Sequence, residues 1–351
     1  MTAFRRPLRR TIMASAALLV ATLVASCSPP PIEPAEPLTA LDPLAGPPLP
    51  PNSSLEKPGE SAAILDSDEN WPGSIRPDER TAKERVPNII RRGRIIVGVD
   101  QSQYLLSFRD PVSGELQGFE VDLAREISRD IFGDPNKVDF RFVGSSDRLR
   151  SLDQGDVDIV IRSVAITDSR AKLAEFSTPY LRTQTRMLTM ESSGINSIAD
   201  LPGHTICVTE GSTSLQTARS IAPEASILKT RNWSDCLMAL QQHQAQVILG
   251  DDVILSGIAA QDPYTRILNT SLDSQSYGVA AAPIKAGTDT SGLVQQVNST
   301  IERIQADRTW WTMFNDWFGP YLLSFGPPPV RYAPDQPAAT KPEEGAENDE
   351  G

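Results

Sequence analysis

The chain has 351 residues, of which 33 are basic and 45 are acidic, so its formal net charge is −12. This acidic balance argues against a nucleic-acid-binding protein, because such proteins need a basic face for the phosphates. The length exceeds that of one ordinary domain, and the middle of the chain is long enough for two lobes of about 100 residues each.

Residues 1–26 have the form of an export signal. Arginines at the start precede an apolar run from Ile12 to Val24, and small residues then lead to Cys27. An uncleaved membrane anchor is the alternative, but the run is shorter than the ~20 residues that a span needs. Cys27 stands where a bacterial lipobox has its diacylated cysteine. We therefore expect a lipoprotein signal peptide and a lipid anchor on the outer face of the cell membrane.

Two segments have the composition of non-globular chain. Residues 27–85 are rich in proline and polar side chains, which predicts a disordered stalk. Residues 326–351 combine prolines with acidic side chains, which predicts a disordered acidic tail.

Strand and helix patterns alternate between these two segments. Strands are predicted at 95–99, 138–143 and 157–161, with a helix opening near Gly118 and a shorter helix at Ser145. The order β-α-β-α-β predicts a parallel sheet with right-handed crossovers.

A second α/β unit is predicted from Leu201 onward. Its strands are expected at 204–209, 227–230 and 246–249, each followed by a helix. An extended stretch follows at 277–281, and two amphipathic helices then end the ordered part of the chain. The tryptophans of the last helix recur at core spacing, so we expect them to pack rather than to bind a ligand.

Cys207 and Cys236 remain once Cys27 is assigned to the anchor. In an exported protein, two such cysteines are typical of one disulfide. A metal pair or a nucleophile are the alternatives. The sequence has no CxxC, and its two histidines, His204 and His243, lack metal-ligand spacing. We therefore expect no metal and no cofactor.

Six short motifs stand in a specific order, although each alone is weak. They are GFEVDLAREI, LDQGDVDIVIRSVAITDSR, FSTPY, LPGHTICVTEGST, LGDD and YGVA. Over about residues 86–322 this order resembles the family 3 extracytoplasmic solute-binding proteins, which are amino-acid-binding subunits of ABC importers. The lipobox, the stalk and the cysteine pair are most similar to the glutamine/glutamate-binding lipoproteins of actinobacteria.

The resemblance implies an α/β fold of the two-lobed, type II periplasmic-binding-protein kind, with two extended hinge crossovers. Lobe 1 would comprise residues 86–184 and 283–325, and lobe 2 would comprise residues 185–282. The crossovers would lie near 183–186 and 277–282.

The resemblance also implies how the backbone end of an amino acid would be held. Arg170 matches the carboxylate-binding arginine, whereas a solvent-facing arginine is the alternative. Ser212 and Thr213 match a second carboxylate anchor at a helix start, where simple helix capping is the alternative. Asp251 matches the residue for the ammonium group, and it too could instead cap a helix.

Two neighbouring positions are expected to assist through their backbones. Ser163 matches a position whose carbonyl contacts the ammonium group. Ala165 stands where the family commonly has threonine, so only its backbone N–H could serve.

The side chain of the preferred amino acid is expected to be selected by residues that precede the strand predicted at 157–161. In acidic-amino-acid binders of this family, a serine and an arginine matching Ser146 and Arg148 hold the second carboxylate. A capping serine and a solvated arginine are the alternatives. Arg162 could add positive potential, and Tyr104 could cover the ligand. These matches favour glutamate or aspartate, followed by glutamine and asparagine.

The sequence therefore predicts a monomeric, extracytoplasmic binding protein that delivers an amino acid to an ABC permease. The alternative is a sensor that signals the amino-acid level through a membrane receptor. The chain has no G-x-S-x-G, no H-E-x-x-H and no phosphate-binding glycine loop, so we do not expect an enzyme.

Overall fold

The computed structural model describes residues 46–285 and 287–334. The predicted signal peptide, Cys27 and the tail beyond residue 334 lie outside the described residues. Residues 46–48 end a first unit and contain no helix or strand, and the elements below belong to the unit that begins at Leu49. Across the described ranges, no helix combines the length and the apolar character that a membrane crossing requires.

The strands of the described ranges are numbered in chain order. They are β1 Ser54–Glu56, β2 Ile95–Val99, β3 Ser102–Gln103, β4 Ser107–Arg109, β5 Leu116–Gln117, β6 Val138–Phe142, β7 Ile159–Val160, β8 Glu175–Phe176, β9 Leu181–Met190, β10 Thr205–Thr209, β11 Ser226–Thr230, β12 Val247–Asp251, β13 Thr265–Ile267, β14 Asp273–Tyr277 and β15 Ala280–Ala281.

The helices of the same ranges are numbered in the same way. They are α1 Ala82–Arg85, α2 Pro87–Arg92, α3 Phe119–Phe132, α4 Arg148–Asp153, α5 Thr213–Ile221, α6 Trp233–Gln241, α7 Asp252–Gln261, α8 Ser291–Ala306 and α9 Thr309–Trp317.

Two sheets define two lobes, as the sequence predicted. We call the elements around the five-stranded sheet lobe 1; its strand order is β6-β2-β7-β15-β8. The elements around the seven-stranded sheet are lobe 2, with the order β1-β11-β10-β12-β9-β13 and β14 paired to β9. The strands β6, β2 and β7 are mutually parallel, as are β11, β10 and β12. The α/β fold with parallel units is therefore confirmed.

The chain crosses between the lobes twice. It leaves lobe 1 between Phe176 and Leu181, and it returns between Tyr277 and Ala280. The predicted first crossover, 183–186, is wrong by a few residues because β9 already pairs with β14 from Leu181 onward. The two connections lie side by side, because β14 hydrogen-bonds to β9.

Two expectations of disorder are wrong for the part of the chain that the structure describes. Within the predicted stalk, β1 adds antiparallel to β11 and α1 begins at Ala82. Within the predicted tail, Tyr332 bridges Ser74, and the Arg331 guanidinium lies 5.1 Å from the ring of the buried Trp71. A high proline content did not prevent this order, because an edge strand offers unpaired backbone groups to any extended segment.

The cysteine pair is confirmed as a disulfide. Cys207 lies in β10 and Cys236 in α6, with Cα atoms 5.5 Å apart, and both residues are fully buried. The bond fixes α6 against the sheet, and α6 begins just beyond the carboxyl end of β11. In an open parallel sheet this carboxyl end is where ligands bind.

Candidate functional site

A narrow cleft lies between the carboxyl ends of the parallel strands of the two sheets. Lobe 1 contributes the start of α4 and the loop after β7, and lobe 2 contributes the starts of α5, α6 and α7. The lining residues are Ser145, Arg148, Arg162, Ser163, Arg170, Ser212, Thr213, Ser214, Trp233, Asp251 and Ile254. The cavity between them has a volume of about 20 Å³, which is room for roughly one water molecule.

Arg148 is buried at the start of α4 and donates only to backbone carbonyls. Its Nε bonds the Ser145 carbonyl at 2.8 Å, and its Nη2 bonds the Gly211 carbonyl across the cleft at 3.0 Å. Burial lowers the pKa of Arg148 well below its usual value, and the charges of Arg170 and Arg162 lower it further. The side chain is not solvated, so the solvent-facing alternative for this arginine is wrong.

Arg170, which also belongs to lobe 1, donates to the same carbonyl. Its Nη1 bonds the Ala165 carbonyl at 2.9 Å and its Nη2 bonds the Gly211 carbonyl at 3.0 Å. Burial lowers the pKa of Arg170, while Asp66 and Asp251 act in the opposite direction. The Gly211 carbonyl of lobe 2 thus accepts a hydrogen bond from each of two guanidinium groups of lobe 1. A carboxylate could accept the same hydrogen bonds and would bring a full negative charge.

Asp251 ends β12 and is the only carboxylate among the residues that line the cleft. Its Oδ1 accepts from the Thr185 hydroxyl at 2.9 Å, and its Oδ2 accepts from the Tyr277 hydroxyl. Burial raises the pKa of Asp251 to about 6, although these two hydrogen bonds oppose the shift. Its side chain makes no helix-capping bond, so capping does not account for this aspartate.

Ser145, rather than Ser146, faces the cleft. Ser146 is exposed and does not line the cavity, whereas the buried Ser145 hydroxyl accepts a hydrogen bond from Arg162. A 3-10 turn at Ser145–Asp147 precedes α4 and directs the first of the two serines inward. Ser146, which the sequence predicted to hold the second carboxylate, therefore does not line the cavity.

Arg162 is fully buried and pairs with Asp100, and each side chain is only 1% exposed. Its charge is therefore neutralised within lobe 1. Arg148 and Arg170, in contrast, have no carboxylate within ion-pairing distance anywhere in residues 46–285 and 287–334. The expected contribution of Arg162 to the positive potential is accordingly small.

Ser163 adopts a left-handed backbone, with φ of 47°, at the end of the central strand. Its N–H donates to Glu120 Oε1 at 2.6 Å, and its carbonyl accepts from Arg148 at 3.2 Å. Burial raises the pKa of Glu120, which lies in the GFEVD motif and also accepts from the Tyr180 hydroxyl. A strained residue held by buried partners is typical of a binding site.

Ser212 and Thr213 begin α5 on the lobe-2 side. The Ser212 hydroxyl caps the helix by accepting from Leu215 N at 3.3 Å, and Thr213 Oγ1 donates to Gln275 at 2.7 Å. Helix capping by Ser212 is therefore real, and it coexists with a position in the cleft wall.

Ala165 and Tyr104 do not line the cleft. Ala165 is buried behind it and bridges Tyr277, so only its carbonyl contributes, by holding Arg170. Tyr104 lines a smaller neighbouring cavity, which shares Trp233 and Ile254 with the cleft.

Trp233 is a lining residue that the sequence did not predict. It begins α6 just beyond the carboxyl end of β11, and a Cβ at Gly250 would lie 3.2 Å from its ring. The carboxyl-end rule for parallel strands could have indicated it.

Comparison with known proteins gives the family of the chain. The profile of the bacterial extracellular solute-binding proteins, family 3, matches residues 95–320. The chain belongs to this family. It is 35% identical over 211 residues to a glutamine-binding protein of Geobacillus stearothermophilus, covering 60% of this chain and 80% of the relative.

Two further similarities extend the comparison. The chain is 26% identical to the glutamate-binding protein GluB of Corynebacterium efficiens, over 62% of this chain and 76% of the relative. The crystal structure of an L-cysteine solute receptor of Neisseria gonorrhoeae superposes with a TM-score of 0.63 at 22% identity, covering 68% and 96% of the two chains. The protein is thus an amino-acid-binding solute-binding protein of the type II fold.

Proposed function

We propose that the protein is an extracytoplasmic receptor for acidic amino acids, glutamate or aspartate, which delivers its ligand to an ABC permease. Glutamine and asparagine rank next. In this proposal the protein binds its ligand without chemical change, with Arg170 holding the α-carboxylate, Asp251 the ammonium group and Arg148 the side-chain carboxylate. Ser163, Ser212 and Thr213 supply polar groups around the backbone end of the ligand.

The charge balance of the cleft is the observation that carries the proposal. Arg148 and Arg170 face it without a carboxylate partner, and Asp251 is the one acidic lining residue. An amino acid with a neutral side chain would match one guanidinium and one carboxylate. A ligand with two carboxylates and one ammonium group matches all three charges.

Entry of such a ligand requires the Gly211 carbonyl to withdraw from both guanidinium groups, because the cavity holds roughly one water molecule. A hinge at the two side-by-side crossovers supplies this motion, and the ligand then favours closure through its higher affinity for the closed form.

Titration calorimetry of the protein against glutamate, aspartate, glutamine and asparagine tests the proposal. We expect the acidic pair to bind at micromolar level or tighter, about −8 kcal/mol. Tighter binding of the amides would reverse the ranking, and no heat from any of the four would remove the ligand assignment.

The anchored location belongs to the same proposal. Cys27 would carry the lipid, and the protein would act as a monomer at the outer face of the membrane. Metabolic labelling with a radioactive fatty acid should label the wild type but not a Cys27→Ala variant. A sensor would use the same cleft, so uptake of labelled glutamate in a deletion strain separates the two roles. Unchanged uptake would favour the sensor.

A further inference from the structure

The segment that precedes the family-matched region is anchored to lobe 2 at its first end. Strand β1 pairs with the edge strand β11, with Glu56 opposite Ile227. The Glu56 carboxylate is buried and accepts from both Arg219 Nε at 2.8 Å and Arg219 Nη2 at 2.6 Å, with Lys229 Nζ 3.3 Å away. The hydrogen bond from Arg219 is the main cause that lowers the pKa of Glu56. This end is therefore held by a specific, partly desolvated ion pair.

The second end of the segment is anchored to lobe 1. The Ser67 carbonyl accepts from Asp168 N at 2.7 Å, and Asn70 Nδ2 donates to the Asp168 carboxylate at 2.6 Å. Trp71 is buried in an apolar cluster with strand residues of the five-stranded sheet. Ser74 Oγ donates to the Phe176 carbonyl at 2.6 Å. The segment from 54 to 74 thus runs from one lobe to the other.

The crossing point lies beside the proposed carboxylate anchors. Ile64 N donates to Gln216 Oε1 in α5 at 2.8 Å, on the lobe-2 side. Only two residues later, Asp66 accepts from the Ser169 N–H at 3.3 Å and from the Ser169 hydroxyl, on the lobe-1 side. Two residues of chain reach at most about 7 Å, so both contacts persist only while the lobes are close.

Asp66 also supports the loop that carries Arg170. Besides Ser169, it accepts a hydrogen bond from the Thr167 side chain, and Thr167 Oγ1 accepts from Arg170 N at 3.3 Å. Burial acts to raise the pKa of Asp66, but these hydrogen bonds outweigh it and hold the pKa below its usual value. The Asp66 carboxylate is therefore ionised at neutral pH, and its hydrogen bonds stabilise the turn from which Arg170 projects.

We propose that residues 54–74 form a strap across the mouth of the cleft, which favours the closed form, with Asp66 as a positioning residue for Arg170. The ten residue steps from Glu56 to Asp66 reach about 35 Å when extended, so the strap can release its crossing while both ends stay attached. The inference rests on the proposed function only in requiring that the cleft opens. Contacts made in the closed form alone shift the open–closed equilibrium and slow ligand release.

Two matched pairs of full-length variants test the strap. Ile64→Pro removes the N–H that bonds Gln216, whereas Ile64→Ala keeps it, and this side chain is 73% exposed. Asp66→Ala removes the carboxylate that accepts hydrogen bonds from Ser169 of lobe 1. Glu60→Gln alters an acid that accepts a hydrogen bond from the Lys57 N–H, a contact within the strap. We expect glutamate to dissociate roughly 10-fold faster from Asp66→Ala and a few-fold faster from Ile64→Pro, and the two controls to match the wild type.

Small-angle scattering without ligand separates this inference from the ligand assignment. Asp66→Ala and Ile64→Pro should enlarge the radius of gyration of the ligand-free protein, while the controls should not. An unchanged radius and an unchanged dissociation rate in both variants would overturn the strap. A lower melting temperature with wild-type dissociation would mean that these residues are only structural. If the wild type binds no glutamate, the proposed ligand fails, and the scattering result alone decides the strap.

Discussion

Arg148 and Arg170 share one acceptor, the Gly211 carbonyl, but the proposal gives them different parts of the ligand. Arg170 follows the central strand and would meet the α-carboxylate that every amino acid has. Arg148 opens α4, one element upstream, and would meet only a side-chain carboxylate. Substitution of Arg170 should therefore lower the affinity for every amino acid, whereas substitution of Arg148 should lower mainly the affinity for acidic amino acids.

We expect Arg148→Met to weaken glutamate and aspartate by about 1.5–3 kcal/mol, or roughly 10- to 150-fold, because charge-assisted hydrogen bonds are lost. Glutamine should lose only a few-fold. Arg150→Met is the control, because Arg150 is an exposed arginine of the same helix that pairs with Asp147. Calorimetry with the acid and the amide measures the difference, and an equal loss for both would exclude Arg148 from the side-chain pocket.

Asp251 should make binding depend on pH. Its pKa is raised from 3.8 to about 6, and an ammonium ligand needs the ionised carboxylate. Affinity should therefore fall about tenfold for each pH unit below 6, and binding near pH 6 should release a proton. Calorimetry in buffers of different ionisation enthalpy counts that proton. An Asp251→Asn variant should bind weakly with a flat pH profile, and a wild type with the same flat profile would contradict this role.

The same shift has a consequence for folding, with the opposite sign. The folded form holds the Asp251 proton more tightly than the unfolded form does, because its pKa is the higher one. This residue's contribution to the free energy of unfolding is therefore fully present below about pH 4 and is lost as the pH rises through 6. Binding strengthens over the range in which this contribution weakens.

At the scale of elements, the turn between β10 and α5 decides how far the cleft can close. Gly211 has φ of 74°, and a Cβ there would lie 3.3 Å from Ser146 Cα in the opposite lobe. A methyl group at this position would hold the lobes apart by a few tenths of an ångström, which would lengthen both guanidinium bonds to the turn.

Gly211→Ala should therefore lower the affinity for glutamate more than it lowers stability. Gly203→Ala is the matched control, since Gly203 also has a left-handed backbone, with φ of 77°, but nothing lies within 4 Å of its added Cβ. We expect similar losses of melting temperature in both variants and a loss of affinity in Gly211→Ala alone. Equal affinities would show that the turn tolerates the extra atom.

The disulfide acts on the second α/β unit as a whole. It joins β10 to α6 across 29 residues, a loop whose closure contributes about 3–4 kcal/mol by restricting the unfolded chain. Reduction should lower the melting temperature by several degrees, measured by calorimetry with and without a thiol reductant. A Cys207→Ala/Cys236→Ala variant should have the melting temperature of the reduced protein with and without the reductant. An unchanged melting temperature of the wild type in the presence of the reductant would contradict the prediction.

At the scale of the molecule, the order of motifs was informative because three of them mark the carboxyl ends of parallel strands, those of β7, β10 and β12. The loop after β7, the start of α5 and the end of β12 are far apart in sequence, yet parallel strands bring them to the same edge. Arg148, Arg170, Ser163, Ser212, Thr213 and Asp251 all line one cleft for this reason. Ser146, Ala165 and Tyr104 do not, because a single-residue change of register or one further layer of packing moves a side chain out of the cavity.

The sequence by itself determined the class of fold, the two α/β units, the disulfide and the family, because these depend on periodicity and on motifs that are local in the chain. Only the tertiary structure decided which arginine is neutralised. The sequence does not distinguish Arg162 from Arg148. In the structure, Asp100 forms an ion pair with Arg162 and not with Arg148. It also decided that residues 54–74 join the lobes, because contacts such as Glu56 with Arg219 link residues 163 apart in sequence, and no local pattern encodes them.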